Sequence, residues 1–296
     1  MTNKASILSI CVTLSVGMVI GYLGSSGSLI FNGYPLFILC ALIPFIIHWT
    51  IFIPSMINQT EHYFDLMGSI SYVTTCIVAL YLVSFSGNLT LRSLIISFLI
   101  IIWAIRLGTF LFLRVKREGR DNRFNVMKTK FWWFLFTWTL GGLWVFVTMC
   151  AGLAAITSGK TVDFFTHPLD FIGLALWIIG FVVEVIADMQ KTKFRSDPEN
   201  TKNFINVGLW KRSRHPNYFG EISLWLGITL IALPVLSGLQ LITLISPIFV
   251  YVLLTKISGV SMQEARAKKK WKNSKDYNNY LNNVPRLIPK IGKIID

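Results

Sequence analysis

The sequence predicts an all-α, polytopic membrane protein of about eight transmembrane helices, with both termini in the cytoplasm. Three observations lead there. Hydrophobic residues make up 53% of the 296 positions against 14% charged, whereas ordinary soluble chains carry about 25% charged residues. Mean hydropathy is +0.59, and the apolar residues fall into runs of about 20, the length that crosses a hydrocarbon layer roughly 30 Å thick. Finally, the basic residues collect in alternate connections, which sets orientation by the positive-inside rule.

The runs are read at 6–24, 35–53, 66–86, 92–113, 131–157, 169–187, 219–236 and 239–257. Outward turns are closed by Gly24 to Gly27, Ser84 to Gly87, and Ser158 with Gly159, while Pro234, Ser237 and Gly238 bend the last two runs into a tight hairpin. The first run follows Lys4 and exceeds a signal-peptide core in length, with no small-residue cleavage site after it, so it is read as a helix. Seven basic residues lie in 114–130, seven in 188–218 and ten between Lys256 and Lys293. The net charge of +14 therefore speaks first of topology, second of an anionic ligand, and least of nucleic acid. Cys11, Cys40, Cys76 and Cys150 sit in apolar stretches without metal-site spacing, as small buried hydrophobes. The chain reads as one integral membrane domain over 1–296, with N-terminal helices in 1–60, central helices in 61–168 and a distinct C-terminal part in 169–296.

Polar chemistry concentrates at one membrane border. Asp188 and Arg195 are seven apart, two turns along a continued sixth helix, and so share a face. Downstream comes Gly208-Leu209-Trp210-Lys211-Arg212-Ser213-Arg214-His215-Pro216-Asn217-Tyr218-Phe219-Gly220-Glu221. Pro216 holds His215 extended and opens the next helix, placing Asn217, Tyr218 and Glu221 in its first turn. Arg214, His215 and the amides of that helix start suit a phosphate. Glu221, one turn deeper, is costly in a membrane unless paired or bonded to a ligand, and is read as an acceptor for a ribose hydroxyl or carboxamide; a plain ion pair with Arg214 or Arg195 is the structural alternative. In the tail, Tyr277 and Tyr280 share a helix face that can stack on a purine or cover the bundle mouth.

The string from Gly208 to Glu221, the upstream Asp188, and the tail Tyr277, Tyr280 and Ile288-Pro289 resemble the steroid 5-alpha-reductase family, in particular its DUF1295 branch. The resemblance covers about 170–296, and more weakly Phe64 to Ser69 and Arg106 to Arg123. Sterol C14/C7 reductases are more distant kin. The resemblance implies a bundle of seven or more helices whose cytoplasmic half, here the 169–296 part, holds NADPH, with contacts from Asp188, Arg195, Asn217, Glu221 and Tyr280, and with Arg214, His215, Tyr218 and Tyr277 as neighbours. No metal is implied. No Gly-x-Gly-x-x-Gly follows a strand, so helix ends and loops would hold the dinucleotide.

Such an enzyme reduces an activated C=C bond of a lipid or steroid-like enone, an oxidoreduction of a CH–CH group, and needs a hydrogen-bond donor for the developing enolate oxygen. The donor candidates are Glu61, Asp65 and Tyr72, between and within the second and third runs. Relatives carry a Gln-Glu-Leu-Pro-Ser motif there and a Tyr in a later helix, where this chain has Asn58 to Asp65 and Trp103. The partners expected are a hydrophobic lipid or steroid-like substrate and membrane lipids, in a bacterial inner membrane or an endoplasmic reticulum. Two other classes share parts of the pattern: S-adenosylmethionine-dependent membrane methyltransferases like the isoprenylcysteine carboxyl methyltransferases, and a non-catalytic lipid-binding protein. Asn217, Glu221 and the Asp188/Arg195 pair favour the reductase.

Overall fold

The computed structural model describes residues 1–118 and 124–292, with side chains described outside 117–118. Arg117, Arg120, Arg123 and Lys293, four of the basic residues used for orientation, lie outside the described side chains. The described chain is helical: α1 Asn3–Gly24, α2 Leu36–Ile57, α3 Phe64–Phe85, α4 Leu91–Glu118, α5 Phe131–Ile156, α6 Pro168–Ser196, α7 Pro216–Ala232, α8 Ile245–Val252, α9 Val260–Trp271 and α10 Lys275–Asn283. Among the described residues, eight segments are long and apolar enough to cross a membrane, as expected. This is a multi-pass membrane protein.

Three local features depart from the sequence reading. Between α1 and α2, Ile30–Phe31 (β1) and Tyr34–Pro35 (β2) form a two-residue antiparallel ladder. Its turn is Asn32-Gly33, both at positive φ (48° and 84°), the combination a tight hairpin requires. The eighth crossing is not one helix: Gly238–Leu244 is 3-10, α8 follows, and Leu253–Ile257 is a π-turn. A Pro-Gly-Ser-rich entry and Ser258 N–H bonding back to Leu253 O at 2.9 Å account for the breaks. Cys11 is exposed on α1, not buried like Cys40, Cys76 and Cys150.

Contacts divide the chain into two compact units, Met1–Asp170 with Thr229–Ser246, and Phe171–Ile228 with Pro247–Asp296. In the first, α5 is almost wholly buried and packs against α1, α2, α3 and α4. Phe52, Phe124, Phe134 and Trp138 form an aromatic cluster there, and His48 meets Trp138 and Phe64 edge-on. The buried Arg92 guanidinium makes an ion pair with the buried Asp170 carboxylate. It also donates to the carbonyls of Ile231 at 2.6 Å and Asp163 at 3.3 Å. A buried ion pair with its remaining donors satisfied is the arrangement in which such charges are tolerated.

In the second unit α6 and α7 pack at backbone contact. A Cβ on Gly220 would lie 2.5 Å from Gly180 O and 2.7 Å from Glu184 N, so only glycine permits this approach. That contact fixes the start of α7, on which the polar string is carried.

Candidate functional site

The second unit contains a cavity of about 430 Å3 whose wall includes Arg195, Arg214, His215, Glu264, Tyr277 and Tyr280. Five of these six are residues singled out from the sequence. They meet because the chain entering α7 is strapped on both sides. Gly208 takes φ +55° so that Leu209 N–H can reach Gln190 Oε1 at 2.9 Å on α6, and Trp210 Nε1 donates to Ala187 O at 3.0 Å. From the other side the tail runs along the same segment. Arg214 N–H donates to Pro285 O at 2.9 Å, Ser213 Oγ to Leu287 O at 2.7 Å, and Lys290 N–H to Arg212 O at 2.8 Å. Tyr280 OH donates to Trp210 O at 2.8 Å.

His215 stays outside the helix and its carbonyl accepts from Phe219 N–H at 3.1 Å, so α7 begins at Pro216 as its ring geometry favours. The His215 ring stacks on Tyr218, centroids 5.8 Å apart and planes 17° from parallel. Tyr218 OH accepts from Gln263 Nε2 at 2.6 Å, and Gln263 Oε1 accepts from Lys191 Nζ at 3.0 Å. Aromatic groups complete the wall: Phe204 lies 5.2 Å from both Tyr277 and Tyr280, and Lys191 Nζ sits 4.8 Å over the Trp210 ring.

The electrostatic centre is Glu264 on α9, a residue not among those expected at the site from sequence. Its carboxylate lies 3.1 Å from Arg214 Nη1, 3.1 Å from Arg286 Nη2 and 3.4 Å from His215 Nε2. Arg214 thus pairs with Glu264, on α9, a contact between residues 50 positions apart that spacing could not signal. Burial lowers the His215 pKa from 6.5, and Lys191 and Arg214 lower it further, against an upward pull from Glu264. The ring faces the Glu264 carboxylate through Nε2, with Nδ1 on its other side. Burial pushes the Tyr280 phenol up, which keeps it protonated.

Asp188 and Asn217 lie beside the cavity rather than in its wall: Asn217 Nδ2 donates to Asp188 Oδ1 at 3.2 Å, and Asp188 is buried. Arg195 is exposed and lines the cavity, so the two-turn spacing with Asp188 gives one buried and one open group. Glu221 is buried one turn into α7. Five polar side-chain atoms of this cluster are enclosed without a hydrogen-bond partner among the described residues: His215 Nδ1 and Nε2, Arg214 Nε, Asn217 Oδ1 and Glu264 Oε1. Polar atoms left in this state are expensive in a folded chain unless a ligand completes them.

The donor candidates belong to the first unit. Glu61 is buried and accepts from Lys128 Nζ at 2.7 Å. Asp65, in the first turn of α3, lies 3.6 Å from Arg114. Each carboxylate is thus paired with a cation. Tyr72 is buried on α3, with its ring edge-on to Trp103 at 5.3 Å.

Fold and site together define a multi-pass helical membrane protein with a cation-rich, aromatic-walled cavity at helix ends. The chain belongs to the family described as Protein of unknown function (DUF1295), whose model matches residues 51–284, as the 208–221 string and the tail led us to expect. A stretch of 68 residues is 34% identical to 3-oxo-5-alpha-steroid 4-dehydrogenase 1 of Mus musculus, covering 23% of this chain and 27% of that protein. The protein of the same name from Rattus norvegicus matches at 34% over 68 residues, 23% of this chain and 26% of its own length. The match spans about a quarter of the length of these curated relatives.

Proposed function

We propose that the chain is an NADPH-dependent membrane reductase of an activated C=C bond in a lipid or steroid-like enone. The observation that carries this reading is the cavity in which Arg195, Arg214 and His215 converge with Tyr277 and Tyr280, bordered by enclosed polar atoms that lack partners. Its chemistry suits a phosphorylated nucleotide. Guanidinium groups bind phosphate oxygens in pairs of hydrogen bonds, the start of α7 offers unpaired amides, and the tyrosines offer faces for a purine. Similarity to proteins named for a steroid dehydrogenase activity supports the redox class over the methyltransferase.

The residues fit the cofactor at named atoms. Arg214 Nε would donate to a phosphate oxygen and His215 Nδ1 would meet a hydroxyl, while Asn217, beside the cavity, holds the start of α7 against Asp188. Arg195 holds a peripheral phosphate, the group that separates NADPH from NADH. Glu221 and Asp188 orient Asn217 and the first turn of α7. When bound, the nicotinamide supplies hydride. Tyr72, a buried phenol on α3, serves as the donor that stabilises the developing oxygen charge, while Glu61 and Asp65 hold the connection before α3 through Lys128 and Arg114.

The substrate is a hydrophobic enone reached through the lipid phase, and the membrane is a bacterial inner membrane or an endoplasmic reticulum. Screening enone lipids with the purified protein while following NADPH absorbance at fixed enzyme tests the proposal. Oxidation dependent on both enone and protein is expected. Absence of turnover combined with tight NADPH binding would instead assign a cofactor-retaining, non-catalytic protein.

A further inference from the structure

A second cavity, of about 420 Å3, lies in the first unit between the α2–α3 connection and the last turns of α4. Thr60, His62 and Tyr63 form one side, and Phe112, Val115 and Lys116 the other. Lys116 is the sole formally charged side chain in its described wall. The neighbouring carboxylates do not line it and are taken up elsewhere, Glu61 by Lys128 at 2.7 Å and Asp65 by Arg114 at 3.6 Å. The cavity therefore carries positive charge without an internal counter-ion in that wall.

A second polar group stands opposite. Thr60 Oγ1 accepts from the His62 backbone N–H at 3.4 Å and lies 3.0 Å from His62 Nδ1. The His62 ring is thus held through Nδ1, with Nε2 at its far edge. Phe112 and Val115 supply an apolar wall, and the flanking Ile57 and Leu113 are 76% and 49% exposed. Helix α2 ends at Ile57 and the fourth apolar span at Lys116. The cavity thus sits where apolar helix surface gives way to polar connections.

A single lysine ammonium with an imidazole opposite, beside an apolar wall at that border, selects a molecule with one negative charge on a long chain. We infer that this cavity binds the monoanionic head of a long-chain amphiphile, a carboxylate or a phosphodiester, with the chain lying along the outer faces of α2 and α4. The site is separate from the cofactor residues and does not rest on the reductase reading.

Photolabelling tests it. The full chain in neutral detergent is irradiated with an oleic acid analogue carrying a diazirine near the carboxyl, and adducts are mapped by peptide sequencing. Adducts within 57–63 and 112–116 are expected, displaced by oleate or by phosphatidylglycerol but not by oleyl alcohol. Displacement by oleate alone assigns a carboxylate head, and displacement by phosphatidylglycerol a phosphodiester. Lys116→Glu reverses an exposed charge and should lower labelling about tenfold, the worth of one charge-assisted hydrogen bond; His62→Leu should lower it in the same direction. Displacement by oleyl alcohol equal to that by oleate, displacement by inorganic phosphate alone, or labelling unchanged in both variants would overturn the inference.

Discussion

Arg214 Nη1 lies 3.1 Å from Glu264 Oε1, and the second oxygen of that carboxylate lies 3.1 Å from Arg286 Nη2. One side chain on α9 thus holds two guanidinium groups, one from the segment entering α7 and one from the tail. Their fork geometry is fixed before any anion arrives, which reduces the ordering needed on binding.

Glu264→Gln should weaken NADPH binding by about tenfold, the worth of one charge-assisted hydrogen bond, while helical content is retained. Titration of the purified variant by fluorescence of bound cofactor checks this. Unchanged affinity would make Glu264 a charge partner without influence on the cavity.

His215 gives stability a pH dependence of fixed sign. Burial holds its folded-state pKa below the 6.5 of an exposed ring, so below that pH the unfolded chain binds more protons than the folded one. The contribution is complete above about 6.5 and declines as pH falls. Melting temperature of the wild type should drop between pH 7 and pH 5, and His215→Gln should flatten that slope. Equal slopes in both proteins would locate the dependence in other groups.

Arg92 and Asp170 are 1% and 0% exposed as side chains. Removing either partner strands a buried charge, at a cost of about 3–5 kcal/mol. Arg92→Leu or Asp170→Leu should each abolish or sharply lower recovery of folded protein, and the Arg92→Leu, Asp170→Leu double variant should recover better than either. Size-exclusion profiles in detergent report this directly.

Gly220→Ala adds a methyl 2.5 Å from Gly180 O, which forces α6 and α7 apart. The expected loss is about 1–3 kcal/mol, read as a lower melting temperature, together with weaker NADPH binding, since Asn217 and Glu221 ride on the same helix.

Tyr72→Phe should retain NADPH affinity and reduce turnover about a hundredfold or more, the usual worth of a positioned proton donor. Glu61→Gln and Asp65→Asn should alter stability more than turnover. Full activity in Tyr72→Phe would move the donor role to another group.

Much of this architecture is readable from composition. Runs of about 20 apolar residues specify helices whatever they pack against, and Pro216 marks the start of α7 by its own ring constraint. The cavity-facing character of Arg195, Arg214, His215, Tyr277 and Tyr280 also shows in sequence, because polar and aromatic residues interleaved beside a span have few purely structural uses. What escapes is pairing at a distance. Glu264 meets Arg214 and Arg286 only because α9 and the tail fold back over residues 210–214, and no spacing encodes that return. The Asn32-Gly33 hairpin turn was legible in principle, yet two-residue strands carry too little periodicity to register beside helical runs. The π-turn at Leu253–Ile257 depends on a backbone bond from Ser258, which side-chain patterns do not reveal.

On the proposed function, the cavity lined by Arg214 and His215 accepts a phosphorylated nicotinamide nucleotide. Isothermal titration of the purified full chain with NADPH, NADH and S-adenosylmethionine tests it most directly. Saturable binding of NADPH, weaker binding of NADH, and loss of the NADPH signal in Asn217→Ala and Glu221→Ala are the results predicted. Binding of S-adenosylmethionine with none of NADPH would contradict the account.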